Sequence, residues 1–332
     1  MKVLIVGSGA VGQVYGLALQ NSSVELGLFD RAANAEKLLR AREQGGLPLY
    51  QVSFAHRKNP VLHRLKDYEV FTEVPESLRF EPDQIWFTVP SQVYYTDWFR
   101  DFLRQAPTAR VVCFTPEGRR SEFFAQGSGD QVVFGGTTFM AWQGSLENSG
   151  GTFEGIHFWR PPLAIPLSGT QNASSEIAQV LKRSGFKVTL GKPDSHSQAA
   201  MTAVITAFVA GLELSGWTLR DYHKSPWLGR AAGAGGEAVM GQLPRIGIIG
   251  RAFLSNPVLS ACFTLAALLL PLLFPFDLQK SLKFHYTKTR EQTQKLLEIY
   301  LKDSAARGAP VADIQKLVSE LQLASEIKAG NR

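Results

Sequence analysis

Three glycines near the amino terminus are spaced to hold a phosphate. In MKVLIVGSGAVGQVYG they fall at Gly7, Gly9 and Gly12. The first suits a tight turn, the second lets a backbone approach a pyrophosphate, and the third lets a helix pack closely on a strand. KVLIV ahead of them reads as a short buried strand, and VGQVYGLALQ after them has helical period. Ser8, Ala10 and Val11 fill the turn between. A helix that begins there points free N–H groups and a partial positive charge at bound phosphates. A second apolar strand, 24–29, ends in Asp30 and Arg31. An acid at that place takes the ribose hydroxyls of NAD, and an arginine accommodates the 2′-phosphate of NADP. The two residues point to opposite cofactors. A glycine motif alone is weak, but one set between a strand, a helix and a second strand ending in an acid predicts a dinucleotide site.

The elements that must position this turn follow from pattern. Strand-like runs at 2–6, 24–29, 84–89, 110–114 and 131–135 alternate with helical stretches at 35–43 and 95–105. That alternation predicts a parallel sheet covered on both faces. Val89 and Pro90 close the run QIWFTVP, and Glu117 and Arg119 follow the run RVVCF, both on the edge where such sheets take ligands. The aromatic runs GTFEGIHFW and LAIPLSG are expected to finish the sheet with a hairpin, before a helix at 174–184 and a last strand, FKVTLG. From about residue 195 strand signals stop and every segment has helical period. Gly308 and Pro310 end a long helix, and VADIQKLVSELQ forms the last one. The expected class is therefore α/β: a Rossmann-type parallel-sheet domain over 1–193 and an all-helical domain over 194–332.

Composition narrows the ligand class. The chain has 332 residues, a formal charge of +6 and a sequence pI near 9.3. That balance suits a small anionic substrate. The basic residues are scattered rather than blocked, which argues against nucleic acid. No zinc-ligand spacing and no Gly-x-Ser-x-Gly elbow occur. Cys113 and Cys262 lie in apolar runs and are expected to be buried free thiols. The amino terminus does not read as a signal peptide, so a cytoplasmic protein is expected. Residues 252–276 carry no charge and are long enough to span a bilayer. Pro271 and Pro275 interrupt the run, so it is expected to be a buried core helix, with a membrane contact as the alternative. An apolar helical domain that could overrun one core hints at a homodimer.

With these residues in place, the chain resembles the ketopantoate reductase (2-dehydropantoate 2-reductase) family. The resemblance runs through KVLIVGSGAVGQVYGLAL, LFDR, REQGGLPLY, GGTTFMAWQG and the late AARGAPVADIQKL. It implies an N-terminal Rossmann domain, a C-terminal helical domain and an active site in the cleft between them. It places Arg31 where the family holds the 2′-phosphate of NADPH. Asp30 stands where the family has a small residue, which keeps NAD open. The resemblance also implies catalytic residues that this chain lacks. The family's lysine falls at Ala199, and its two following asparagines fall near Ala203 and Ala207. Its late acidic residue falls at Gln292, beside Glu291. A further lysine falls at Pro90, and its Asn-Gly pair reads Glu117-Gly118. No lysine occurs between Lys192 and Lys224.

A carbonyl reduced by hydride needs an acid or electrophile for the developing alkoxide. The segment LQKSLKFHYTKTREQ offers replacements: Lys280, Lys283, Lys288 and Arg290 for a carboxylate, His285 or Tyr286 for a proton. His285 and Gln292 are the expected catalytic pair. His196 is a second imidazole, read as a loop residue. Thr137, Thr138, Ala141 and Gln143 are candidates for the pocket wall. His56 and His63 read as surface. The expected activity is NAD(P)H-dependent reduction of a small 2-oxo acid or related carbonyl. The alternative is a dinucleotide-binding or sensing protein of the same fold without catalysis.

Overall fold

The computed structural model describes residues 1–114, 131–144, 155–191, 196–243 and 248–330. They fall into two compact units, Met1–Ser195 and His196–Arg332.

In the first unit the elements run β1 (Lys2–Val6), α1 (Ala10–Gln20), β2 (Glu25–Phe29), α2 (Ala32–Glu43), β3 (Leu47–Gln51), β4 (Val61–Leu65) and β5 (Glu69–Phe71). They continue with α3 (Val74–Arg79), β6 (Gln84–Phe87), α4 (Asp97–Gln105), β7 (Arg110–Phe114), β8 (Val132–Gly135) and β9 (Met140–Gln143). The unit closes with β10 (Ile156–Trp159), β11 (Ala164–Ser168), α5 (Gln171–Arg183) and β12 (Lys187–Gly191). Eight strands form one sheet in the order β12-β11-β8-β7-β6-β1-β2-β5. All its pairings are parallel except β11 with β8. Beyond their first residues, Lys2, Gln84 and Arg110, the central strands β1, β6 and β7 are apolar because both faces are covered. Val3, Leu4, Ile5, Ile85, Trp86, Phe87, Val111, Val112 and Cys113 are all fully buried.

The expected closing hairpin does not form as read. β10 leaves the main sheet and joins a second, four-stranded sheet in the order β4-β3-β10-β9. Only β11 adds to the main sheet. The small sheet backs α1: a Cβ on Gly16 would meet Leu65 of β4 at 3.0 Å and Leu26 of β2 at 3.2 Å. The first helix is thus held between two sheets. Its Tyr15 stacks on Phe114 at 4.2 Å and meets Trp86 edge-on at 5.5 Å. His63, read as surface, is half-buried on β4, with Nε2 3.1 Å from Gln51 Oε1.

The second unit is helical in every described element: α6 (His196–Leu214), α7 (Pro226–Gln242), α8 (Ile248–Phe253), α9 (Asn256–Leu273), α10 (Leu278–Lys288), α11 (Arg290–Ala306) and α12 (Ala312–Gly330). α7, PWLGRAAGAGGEAVMGQ, is the central helix, and its glycines admit neighbours closely. A Cβ on Gly241 would meet Ser304 of α11 at 2.2 Å, and one on Gly236 would meet the Leu254 carbonyl at 2.4 Å. A buried ion pair joins Arg290 to Glu213 on α6 at 2.9 Å.

Two expectations fail in this unit. The apolar run is one helix, α9, and only 17% of it is buried, so it is not a core helix. Pro271 does not break it, because a proline two residues before the end of a helix forfeits a single backbone bond. Cys262, on its outer side, is exposed, whereas Cys113 is buried.

Candidate dinucleotide site

At the carboxyl ends of three neighbouring strands the chain builds a braced turn. Gly7 takes φ +94°, open to glycine but strained for other residues, and its N–H donates to the Phe29 carbonyl at 2.9 Å. A Cβ there would also meet Val89 at 2.8 Å. Gly12 is closed in: a Cβ would meet the Gly7 carbonyl at 2.2 Å and Thr88 Oγ1 at 2.8 Å. Gly9 is the opposite case, with nothing within 4 Å of its Cβ position. It is the N-cap of α1, which has no side-chain cap and no acid in its first turn. The first-turn N–H groups are therefore left for a ligand, beside open space where a phosphate needs it. Ala10 and Val11 are half-buried beside it. These residues fit the pyrophosphate of a dinucleotide.

Asp30 does more than its position foretold. One carboxylate oxygen accepts from the Ser8 N–H at 2.8 Å and from the Ser8 hydroxyl. The other accepts from the Arg31 N–H at 2.8 Å and the Asn34 amide at 2.9 Å. Burial pushes its carboxyl up, but these hydrogen bonds outweigh burial and hold it below the ordinary value. Ser8 is itself buried, with its N–H and hydroxyl both turned to Asp30. Arg31, by contrast, is exposed, and its side chain pairs with no described residue.

Three further residues brace the turn without having been singled out in the sequence. The Thr88 hydroxyl donates to the Gly7 carbonyl at 2.6 Å, and the Gln13 amide donates to the Ser8 carbonyl at 2.9 Å. Asn34 holds Asp30. Thr88 had one usable signal: it directly follows β6, which pairs with β1. Pro90, next along, is exposed and Val89 half-buried. Ala141 lies in β9, paired with Phe158 and packed on the core of this unit. Thr137 and Gln143 are exposed and Thr138 half-buried. Glu117 and Arg119 lie outside the described residues.

The helical unit places its candidates separately. His285 is exposed in the last turn of α10, its ring edge-on to Tyr286 at 4.9 Å. Gln292 is half-buried in the first turn of α11. Lys283 and Lys288 are exposed, and Lys280 pairs with Asp277 at 3.6 Å. Arg290 is not available as a carboxylate clamp, because Glu213 already holds it and it donates to the Leu321 carbonyl at 3.2 Å. Ala203 and Ala207 are fully buried. Ala207 faces α7, where a Cβ on Gly235 would meet it at 3.7 Å. The side chains of His196 and Ala199 lie outside the described set.

No protein-family model and no curated protein matches the chain. Solved structures do. A 2-dehydropantoate 2-reductase from Methylococcus capsulatus matches with a TM-score of 0.67 at 14% identity, over 98% of this chain and 97% of that one. The chain has the fold of the ketopantoate reductases. The ternary structure of D-mandelate dehydrogenase with NADH and anilino(oxo)acetate matches at 0.64 and 15% identity, over 97% of both chains. Yersinopine dehydrogenase with bound NADP+ matches at 0.61 and 14%, over 98% of this chain and 91% of that one. The ketopantoate reductase fold therefore spans both units, at an identity that speaks for architecture alone.

Proposed function

We propose that this chain is an NAD(P)H-dependent oxidoreductase that reduces a small anionic 2-oxo acid or related carbonyl. The observation that carries the reading is the contrast between Gly9, open to a ligand, and Gly12, closed against the strand. Solved structures of the same fold hold NADH or NADP+, and one also holds anilino(oxo)acetate. A bound reduced nicotinamide supplies the hydride. The chain itself must grip the dinucleotide and deliver a proton to the carbonyl oxygen.

The preferred cofactor in this reading is NADPH. Asp30 already accepts four hydrogen bonds from the turn and α2, whereas Arg31 is exposed and uncommitted. An uncommitted guanidinium suits a 2′-phosphate. His285, exposed on α10, is the proposed proton donor, with Gln292, half-buried in the first turn of α11, as the second catalytic candidate. Titration by nicotinamide fluorescence tests the grip. Gly9→Ala should weaken NADPH at least about tenfold with no loss of folding, since its Cβ meets only the ligand's space. Arg31→Ala should weaken NADPH about tenfold and leave NADH unchanged. A wild-type protein that binds neither nucleotide would overturn the reading. Oxidation of NADPH with a panel of 2-oxo acids tests the chemistry, and His285→Ala should lower turnover without altering NADPH affinity.

A second reading is favoured by Ala203 and Ala207. Both are fully buried and offer no polar group on the helix that the family resemblance makes catalytic. Tight NADPH binding without turnover on any oxo acid would select a dinucleotide-binding protein that has given up reduction.

A further inference from the structure

Helix α9 carries its polarity on the wrong side for a lone soluble chain. Its buried stripe is Leu259, Phe263 and Ala267. Its polar residues Asn256, Ser260 and Thr264 do not lie on the outer face. Asn256 donates to the Gly229 carbonyl of α7 at 2.9 Å, and Ser260 donates to Asn256 at 2.9 Å. The outer face consists of Val258, Ala261, Cys262, Leu265, Leu268, Leu269, Leu272 and Leu273, all exposed. At 3.6 residues per turn they cover an arc of roughly 140°. Leu265 is 57% exposed and Leu272 72%. A helix on a protein surface normally turns such an arc inward.

The spacing along this arc is that of a helix-pairing seam. Val258, Ala261, Leu265, Leu268 and Leu272 advance by three and four residues in turn, the heptad pattern that keeps a stripe against a second helix. The side-chain sizes are also graded. The small residues Val258, Ala261 and Cys262 occupy the first half and the leucines Leu268, Leu269 and Leu272 the second. Leu265 stands at the midpoint. If two copies of α9 pair antiparallel about Leu265, Val258 meets Leu272, Ala261 meets Leu269 and Cys262 meets Leu268. Each of these three contacts then sets a smaller residue against a leucine, and Leu265 meets its own copy on the axis, which fills space evenly. Parallel pairing would set small on small at one end and crowd leucines at the other.

We propose that the partner of this face is a second copy of the same chain, joined through an antiparallel α9–α9 pair on a two-fold axis at Leu265. A two-fold contact uses one patch on both copies, and the graded face is complementary to itself. The area is of the right order. The five exposed leucines together uncover nearly three whole leucine residues, on the order of 500 Å² per copy, against the roughly 800 Å² per partner of a standard interface. Phe253, 66% exposed just before the helix, adds to it. The seam has no charge, so the chain's +6 opposes pairing only weakly, and less so in salt. The proposal is independent of the cofactor reading.

Full-length protein tests it. Light scattering should give a dimer, and Leu265→Glu should weaken association at least about a hundredfold by setting two carboxylates together at the axis. Because Leu265 is exposed, this variant should keep its helical circular dichroism, while its melting temperature should lose the concentration dependence that the dimer gives the wild type. With Cys262→Ser as background, Leu265→Cys should form a disulfide-linked dimer under mild oxidation. Val258→Cys alone should not, because its two copies would stand about 21 Å apart along the axis. Val258→Cys combined with Leu272→Cys should cross-link again. A monomer at tens of micromolar overturns the proposal, as does Val258→Cys cross-linking to itself, which would mean a parallel pair. Flotation of a monomer with neutral phosphatidylcholine vesicles, abolished by Leu265→Glu, would also overturn it and assign the face to a membrane.

Discussion

Asp30 is the residue on which the glycine turn depends most. Replacing it with alanine removes the acceptor for four donors and should cost about 2 kcal/mol in urea unfolding. Its carboxyl is held below its usual value, so the stability it adds is complete above about pH 4 and is lost as the pH falls through the lowered value. Asp30→Asn should therefore flatten the fall in stability below pH 4, read from unfolding midpoints across that range. The glycines separate two roles. Gly12→Ala forces a Cβ to 2.2 Å from a backbone oxygen that cannot step aside, and should destabilise the first unit by at least about 2 kcal/mol. Gly9→Ala should leave the unfolding midpoint where it is. Equal midpoints for the two variants would refute this division of labour.

Among the elements, α12 is started by another helix. Glu237 on α7 accepts from the Asp313 N–H at 3.1 Å and the Ile314 N–H at 2.9 Å, in place of a local cap. Burial pushes its carboxyl up, with Asp313 adding to the rise. Glu237→Ala should cost about 2–3 kcal/mol by stranding those donors, while Glu237→Gln should cost much less because its amide oxygen still accepts. Chemical denaturation at neutral pH distinguishes them. Elements of this kind show how far the sequence could be read. The glycine turn was legible because strand, turn and helix are contiguous and each glycine has a local steric reason. The small sheet was not, because β3, β4, β9 and β10 are short and come from distant segments. Arg290 was misjudged because its partner, Glu213, lies 77 positions away in the sequence. α9 was misread because an apolar run looks the same whether it faces a core or a partner. Only the order of its polar residues around the helix, seen once its neighbours are in place, separates the two.

At the scale of the whole molecule, the basic balance should be felt by any anionic ligand. With a formal charge of +6, NADPH affinity should fall as salt rises, and more steeply than NADH affinity, since NADPH carries the extra phosphate. Parallel salt titrations of the two nucleotides check this. The buried alanines of α6 carry a different implication, one about what the helical unit would tolerate. Where the family resemblance calls for asparagines, Ala203 and Ala207 are sealed inside that unit, with Gly235 of α7 facing Ala207. An asparagine placed at 207 would carry its amide into an interior with no water to turn to, and a stranded amide is costly. Adding those side chains alone should therefore weaken the helical unit, and making it accept them would mean supplying hydrogen-bonding partners on the neighbouring helices as well.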